Sequence, residues 1–104
     1  MAETGVDVKE TVTALRRVLV SFDVSGRRRT ECTLVNRFIF GRDVVRRVGG
    51  KVKTYRYPGL IHRPGVERLG QSVLLLREDD AGEFVHILGE LRVPYRRERI
   101  WVEG

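Results

Sequence analysis

The chain has 104 residues, enough for one domain with a single modest core and too few for a two-domain enzyme. An apolar share of 41% and a charged share of 33% fit a folded globular protein, and no apolar run approaches the ~20 residues that a membrane-spanning helix needs. Lys and Arg outnumber Asp and Glu by 20 to 14, and the resulting net charge of +6 is what a protein that meets polyanions carries.

All the cations except Lys9, Lys51 and Lys53 are arginines, whose planar, forked guanidinium suits phosphate binding and base stacking. Cys32 is the only cysteine, so neither an internal disulfide nor a thiolate metal cage can be built from one chain. The N-terminus, MAETGVDVKETVT, lacks the basic start, apolar stretch and small-residue cleavage site of a secretory signal, which points to the cytoplasm. Asn36 and Gln71 are the only side-chain amides, a depletion associated with hot environments.

In chain order, residues 1–13 read as a loose tail or short helix, and 14–104 as a single domain. RVLVSFDV (17–24) sets Val18, Val20, Phe22 and Val24 on one side of a first strand. TECTLVNRFIFG places Leu34, Val35, Phe38 and Ile39 at helical spacing behind a cap at Thr30, with a strand as the rival reading. DVVRRVGGKVKTYRYP is two β-prone runs joined by Gly49-Gly50, which supply the positive φ of a tight hairpin. PGLIHRPGVERLG has no period and reads as a loop, stiffened by Pro58 and Pro64.

GQSVLLLRE reads as a further strand. Residues from about Asp80 to Leu91 form a helix striped by Phe84, Leu88 and Leu91, capped by Asp79 or Asp80 and ended by Pro94. YRRERIWV (95–102) alternates as the last strand. The expected fold is α+β: a mostly antiparallel sheet of four to five strands backed by two helices, a ferredoxin-like (split βαβ) variant with one sheet face open.

Alternation puts Lys51, Lys53, Tyr55 and Tyr57 on one side of their strand, and Tyr95, Arg97, Arg99 and Trp101 on one side of the last. In both strands cations interleave with rings opposite a side carrying aliphatics (Val52; Ile100 and Val102), which suits a sheet face that binds single-stranded nucleic acid. Cations hold the phosphates and rings stack on unpaired bases; the plainer reading makes the same rings core aromatics. Arg37 and Phe40 on the first helix, and Arg63 and Arg68 in the loop, complete the candidate set, the latter two as clamps over a bound strand. Arg27–Arg29 and Arg46–Arg47 are further basic clusters, of weight only if they converge.

Catalytic constellations are thin. His62, with Tyr55 and a lysine, is the one candidate for metal-independent RNA cleavage. The acidic run Glu78, Asp79, Asp80 and Glu83 is explained by a helix N-terminus without a metal, and GVERLG lacks the ending of a P-loop.

NRFIFGR (36–42), YPGL (57–60) and GVERLGQSVLLL (65–76), set in a short Arg-rich chain, resemble the ThermoDBP-related proteins of hyperthermophilic archaea. The resemblance implies a single-stranded nucleic-acid binder with its cleft between an antiparallel sheet and helices. Family members with a C-terminal coiled coil oligomerise through it, whereas this sequence ends at Trp101-Val102-Glu103-Gly104, so a homodimer is left open. The expectation is therefore a non-enzymatic binder of single-stranded DNA or RNA with weak sequence preference and neither cofactor nor metal. An RNA-processing nuclease or its accessory subunit, and a protein-interaction module, are the alternatives.

Overall fold

The computed structural model describes residues 14–103. The tail or helix expected over 1–13 lies outside them.

Strand β1 (Ala14–Phe22) leads into helix α1 (Arg29–Phe40), then β2 (Arg42–Val48) and β3 (Lys51–Tyr57). A 3-10 turn (Leu60–His62), β4 (Glu67–Gly70), β5 (Val73–Leu76), helix α2 (Glu78–Glu90) and β6 (Tyr95–Glu103) follow. Four strands form an antiparallel sheet in the order β4-β5-β1-β6, while β2 and β3 pair only with each other. The fold is α+β. Strands β1 and β4 run in the same direction with β5 between them, because each pairs antiparallel to β5.

Both helices cover one face of the sheet. Val18, Val20 and Phe22 of β1, with Leu74 and Leu76 of β5, form a single buried cluster with Val35 and Ile39 of α1 and Ala81, Phe84 and Leu88 of α2. The Phe84 ring meets Phe22 edge-on at 5.4 Å and stacks on Phe38 at 5.9 Å, joining sheet and helices through one side chain. Leu60, fully buried, plugs the 3-10 turn into the same core.

The strand reading of 30–41 falls away, since the segment is helical. Its cap is not Thr30, which lies inside the helix; the Arg28 amide donates to Glu31 Oε1 at 3.0 Å instead. Asp79 and Asp80 likewise sit in the first turn of α2 rather than capping it, where carboxylates meet the positive end of the helix dipole. That helix ends in a Schellman motif: Val93 N–H donates to Leu88 O and Arg92 N–H to Gly89 O, with Arg92 at φ 56° in a position usually held by glycine.

The expected loop over 58–70 is half structure, for Glu67–Gly70 pairs with β5 as an edge strand. Its bulge between Arg68 and Gly70 breaks the alternation that sequence reading depends on. The larger difference is the hairpin, which stands apart from the main sheet. Gly49 and Gly50 both take positive φ, as a type I′ turn requires.

The hairpin leaves the body through two glycines. Gly41, at φ 77° and ψ −169°, occupies a region essentially reserved for glycine. A Cβ on Gly59 would stand 2.3 Å from Gly41 N and 2.4 Å from Ile39 O, and one on Gly41 would stand 2.2 Å from Tyr57 O. Two backbones therefore touch where only hydrogen fits. Gly59→Ala, whose φ strains no residue, is expected to cost at least about 2 kcal/mol in urea unfolding through this clash alone. A Cβ on Gly50 would meet nothing, so Gly50→Ala is expected to cost only its positive-φ penalty, about 1–2 kcal/mol.

Candidate nucleic-acid interface

Cross-strand partners share a face, so the register of β2 against β3 fixes the composition of each side of the hairpin. One side carries Arg42 opposite Tyr57, Val44 opposite Tyr55, Arg46 opposite Lys53 and Val48 opposite Lys51. Neither strand contributes a carboxylate to it. The other side carries Val45, Thr54, Arg47 and Val52, with Asp43 paired to Arg56 at 3.2 Å. Six cations and one carboxylate lie between Arg42 and Tyr57, so the hairpin carries a net +5, against +3 for the remainder of residues 14–103.

Lys51, Lys53, Tyr55 and Tyr57 thus share a face as expected, and Arg42 and Arg46 extend it. These two were legible in the sequence: folding the chain at Gly49-Gly50 sets 46 against 53 and 42 against 57. The Arg42 guanidinium lies 5.6 Å over the Tyr57 ring, and both tyrosines keep substantial surface in water, 39% at Tyr55 and 46% at Tyr57.

The expectation that aliphatics anchor the opposite side of this strand is overturned. Val52 is 63% exposed and Val45 64%, because the hairpin projects with both sides in solvent. The match between two strands of one sheet face, which carried the sequence argument, does not exist.

The row on β6 is corrected as well. Tyr95 pairs with Phe22, Arg97 with Val20, Arg99 with Val18 and Trp101 with Arg16, which places the whole row on the helix-bearing face. Ile100 and Val102, expected toward the core, lie on the helix-free face with Leu15, Arg17, Leu19 and Leu75. Strand β6 is the outermost strand, so its helix-side row remains exposed. Arg99 Nε bonds Glu78 of α2 at 3.2 Å, and Trp101, 65% exposed, lies under the Arg16 guanidinium at 5.1 Å.

Arg63 is no clamp over a strand. Its Nη1 bonds Asp80 Oδ1 at 3.0 Å and Glu83 Oε2 at 2.8 Å, fastening the 58–66 segment to α2. The fork from Arg63 holds the Glu83 carboxyl below the usual carboxylate range, first through the hydrogen bond and then through charge. Arg68 lies 5.2 Å over the Phe40 ring, at the β4 edge. His62 Nδ1 accepts the Gly59 amide at 3.1 Å, so that lone pair is engaged in turn geometry. Among the described residues no cluster of three His, Cys, Asp or Glu side chains could hold a metal ion, and no helix is long and apolar enough to cross a membrane.

A groove of about 530 Å³ opens at the hairpin base, where β2 and β3 meet the C-terminal halves of both helices. Leu34, Phe38, Ile87 and Leu91 give it an apolar wall, and Arg37, Arg42, Tyr57 and Glu90 supply its polar groups. Arg37 therefore adjoins the Arg42–Tyr57 end of the cationic face. Phe40 instead lines a smaller cleft with Asp43, Arg56 and His62.

The chain matches no protein-family profile, no curated protein and no solved structure.

The Arg63 contacts predict a separable effect. Because Glu83 titrates below its unfolded value of about 4.3, its contribution to stability is complete at neutral pH and disappears as the pH falls through its lowered folded value. Arg63→Ala is expected to cost about 1 kcal/mol at pH 7, a modest figure because the pair is half in water, and less at about pH 3. Polyanion affinity is expected to be unchanged; a loss on the scale of a hairpin cation would return Arg63 to the interface.

Proposed function

We propose that the protein binds single-stranded DNA or RNA with weak sequence preference, and that the hairpin face of Arg42, Arg46, Lys51, Lys53, Tyr55 and Tyr57 makes the contact. The observation that carries the reading is the concentration of a net +5 on one exposed sixteen-residue ribbon with two accessible rings in line with the cations. Cations at alternate positions suit successive phosphates, and a phenol ring between them suits an unpaired base, at about 1–3 kcal/mol per base. A base inside a duplex has no free face to offer, which favours single strands. On this reading the protein is a binder rather than an enzyme, works in the cytoplasm, and is kin to the ThermoDBP-related proteins; the strand order β4-β5-β1-β6 supports treating its sheet as a ferredoxin-like variant with the hairpin inserted after α1.

Titration of labelled oligouridylate and oligothymidylate against salt tests it. Neutralising four phosphates on this face gives a log–log slope near −2.8, so affinity is expected to fall about fifty-fold between roughly 50 and 200 mM salt. Lys53→Ala lowers the slope by about 0.7, whereas Tyr55→Ala weakens binding and leaves the slope nearly unchanged. Trp101 emission is expected to be open to a neutral quencher and indifferent to the oligomer, because its row lies on the main sheet. Salt-independent binding would favour a protein partner, and cleavage of RNA abolished by His62→Ala would favour a nuclease.

A further inference from the structure

The groove at the hairpin base has a composition that the cationic face lacks. We infer that it receives one guanine nucleotide of the bound strand, giving an otherwise indifferent binder a base preference at a single position. The inference rests on the nucleic-acid reading of the hairpin, whose Arg42 and Tyr57 belong to both.

The volume of about 530 Å³ lies within the range of about 300–1,000 Å³ that small-molecule sites occupy. Leu34, Ile87 and Leu91 offer an apolar surface to the faces of a purine ring, and Tyr57 adds an aromatic one. Arg37 and Arg42 line the same groove and suit the phosphate of the nucleotide.

Glu90 decides the base. Its Oε1 lies 2.9 Å from His86 Nε2 one helical turn away, leaving Oε2 and one lone pair of Oε1 for a ligand. A carboxylate accepts hydrogen bonds and donates none. Guanine presents two parallel N–H donors, N1–H and the exocyclic amine, which match the two oxygens. Adenine sets an acceptor nitrogen beside its amine, and uracil presents one imide N–H between two carbonyl oxygens, so each directs a lone pair at the carboxylate.

The test is amide-detected NMR titration of the whole chain with GMP, AMP and UMP, alongside oligouridylate, which contains no guanine. GMP is expected to shift the amides of Leu34, Ile87 and Leu91 and to bind at least about tenfold more tightly than AMP or UMP. Glu90→Gln, which replaces one acceptor with a donor at an exposed helix position, is expected to erase that preference without lowering Tm. Leu34→Trp, which fills the groove from an exposed position, is expected to abolish GMP binding and leave oligouridylate binding intact. Equal affinity for the three mononucleotides, or GMP binding untouched by Leu34→Trp, would overturn the guanine site while oligouridylate binding kept the hairpin reading. Guanine-selective shifts in the groove with no oligouridylate binding would do the reverse.

Discussion

The contact between the backbones of Gly41 and Gly59 is the constraint from which the rest of the molecule follows. It closes the base of a sixteen-residue excursion, Arg42–Tyr57, at the point where α1 ends and the buried Leu60 begins to anchor the returning chain. Because the two backbones meet within a hydrogen's width, the hairpin leaves the body at a fixed place. The groove, the Arg42–Tyr57 contact and the neighbouring Arg37 all lie at that junction. A looser junction would leave the same charges on a tether without a defined relation to the helices.

Charge and packing are divided between two parts of the fold. The four-stranded sheet, its helices and their connections hold the buried core and, over residues 14–41 and 58–103, carry a net charge of only +3. The hairpin packs a net +5 into sixteen residues and contributes no residue to that core. An isolated two-stranded ribbon is marginally stable in water, so this one depends on its type I′ turn, its β-branched residues and its glycine-clamped base. Repulsion among six cations on so small an element favours a polyanion that neutralises them, and the field of an unshielded basic ribbon also steers such a partner toward it.

Local signals in the sequence were sufficient for most elements. Alternation found the buried side of β1, helical spacing found α1 and α2, and Gly49-Gly50 fixed both the hairpin and its register. What alternation cannot supply is the environment of each side. Val52 opposite Lys51 and Lys53 reads the same in a sheet backed by helices as in a free ribbon; what distinguishes them is that β2 and β3 pair only with each other, beyond a close approach of Gly41 and Gly59, eighteen positions apart in sequence. On β6 the same logic assigned Ile100 and Val102 to the core because they are aliphatic. The strand is outermost, however, so neither side is deeply buried and the residue types do not record which side the helices occupy. Strand β4 was hidden by its bulge, and Arg63 looked like a free cation because its carboxylate partners lie on a helix far along the chain.

Amide hydrogen exchange, followed residue by residue with and without oligouridylate, tests the central claim most directly. In the free protein the amides of β2 and β3 are expected to exchange far faster than those of β1 and β5, since the ribbon has no core of its own. On binding, added protection is expected across Arg42–Tyr57 and at neighbouring Arg37, with the four-stranded sheet unchanged. Protection gained instead on the helix-free side of β1 and β6, with the hairpin still exchanging freely, would contradict the account.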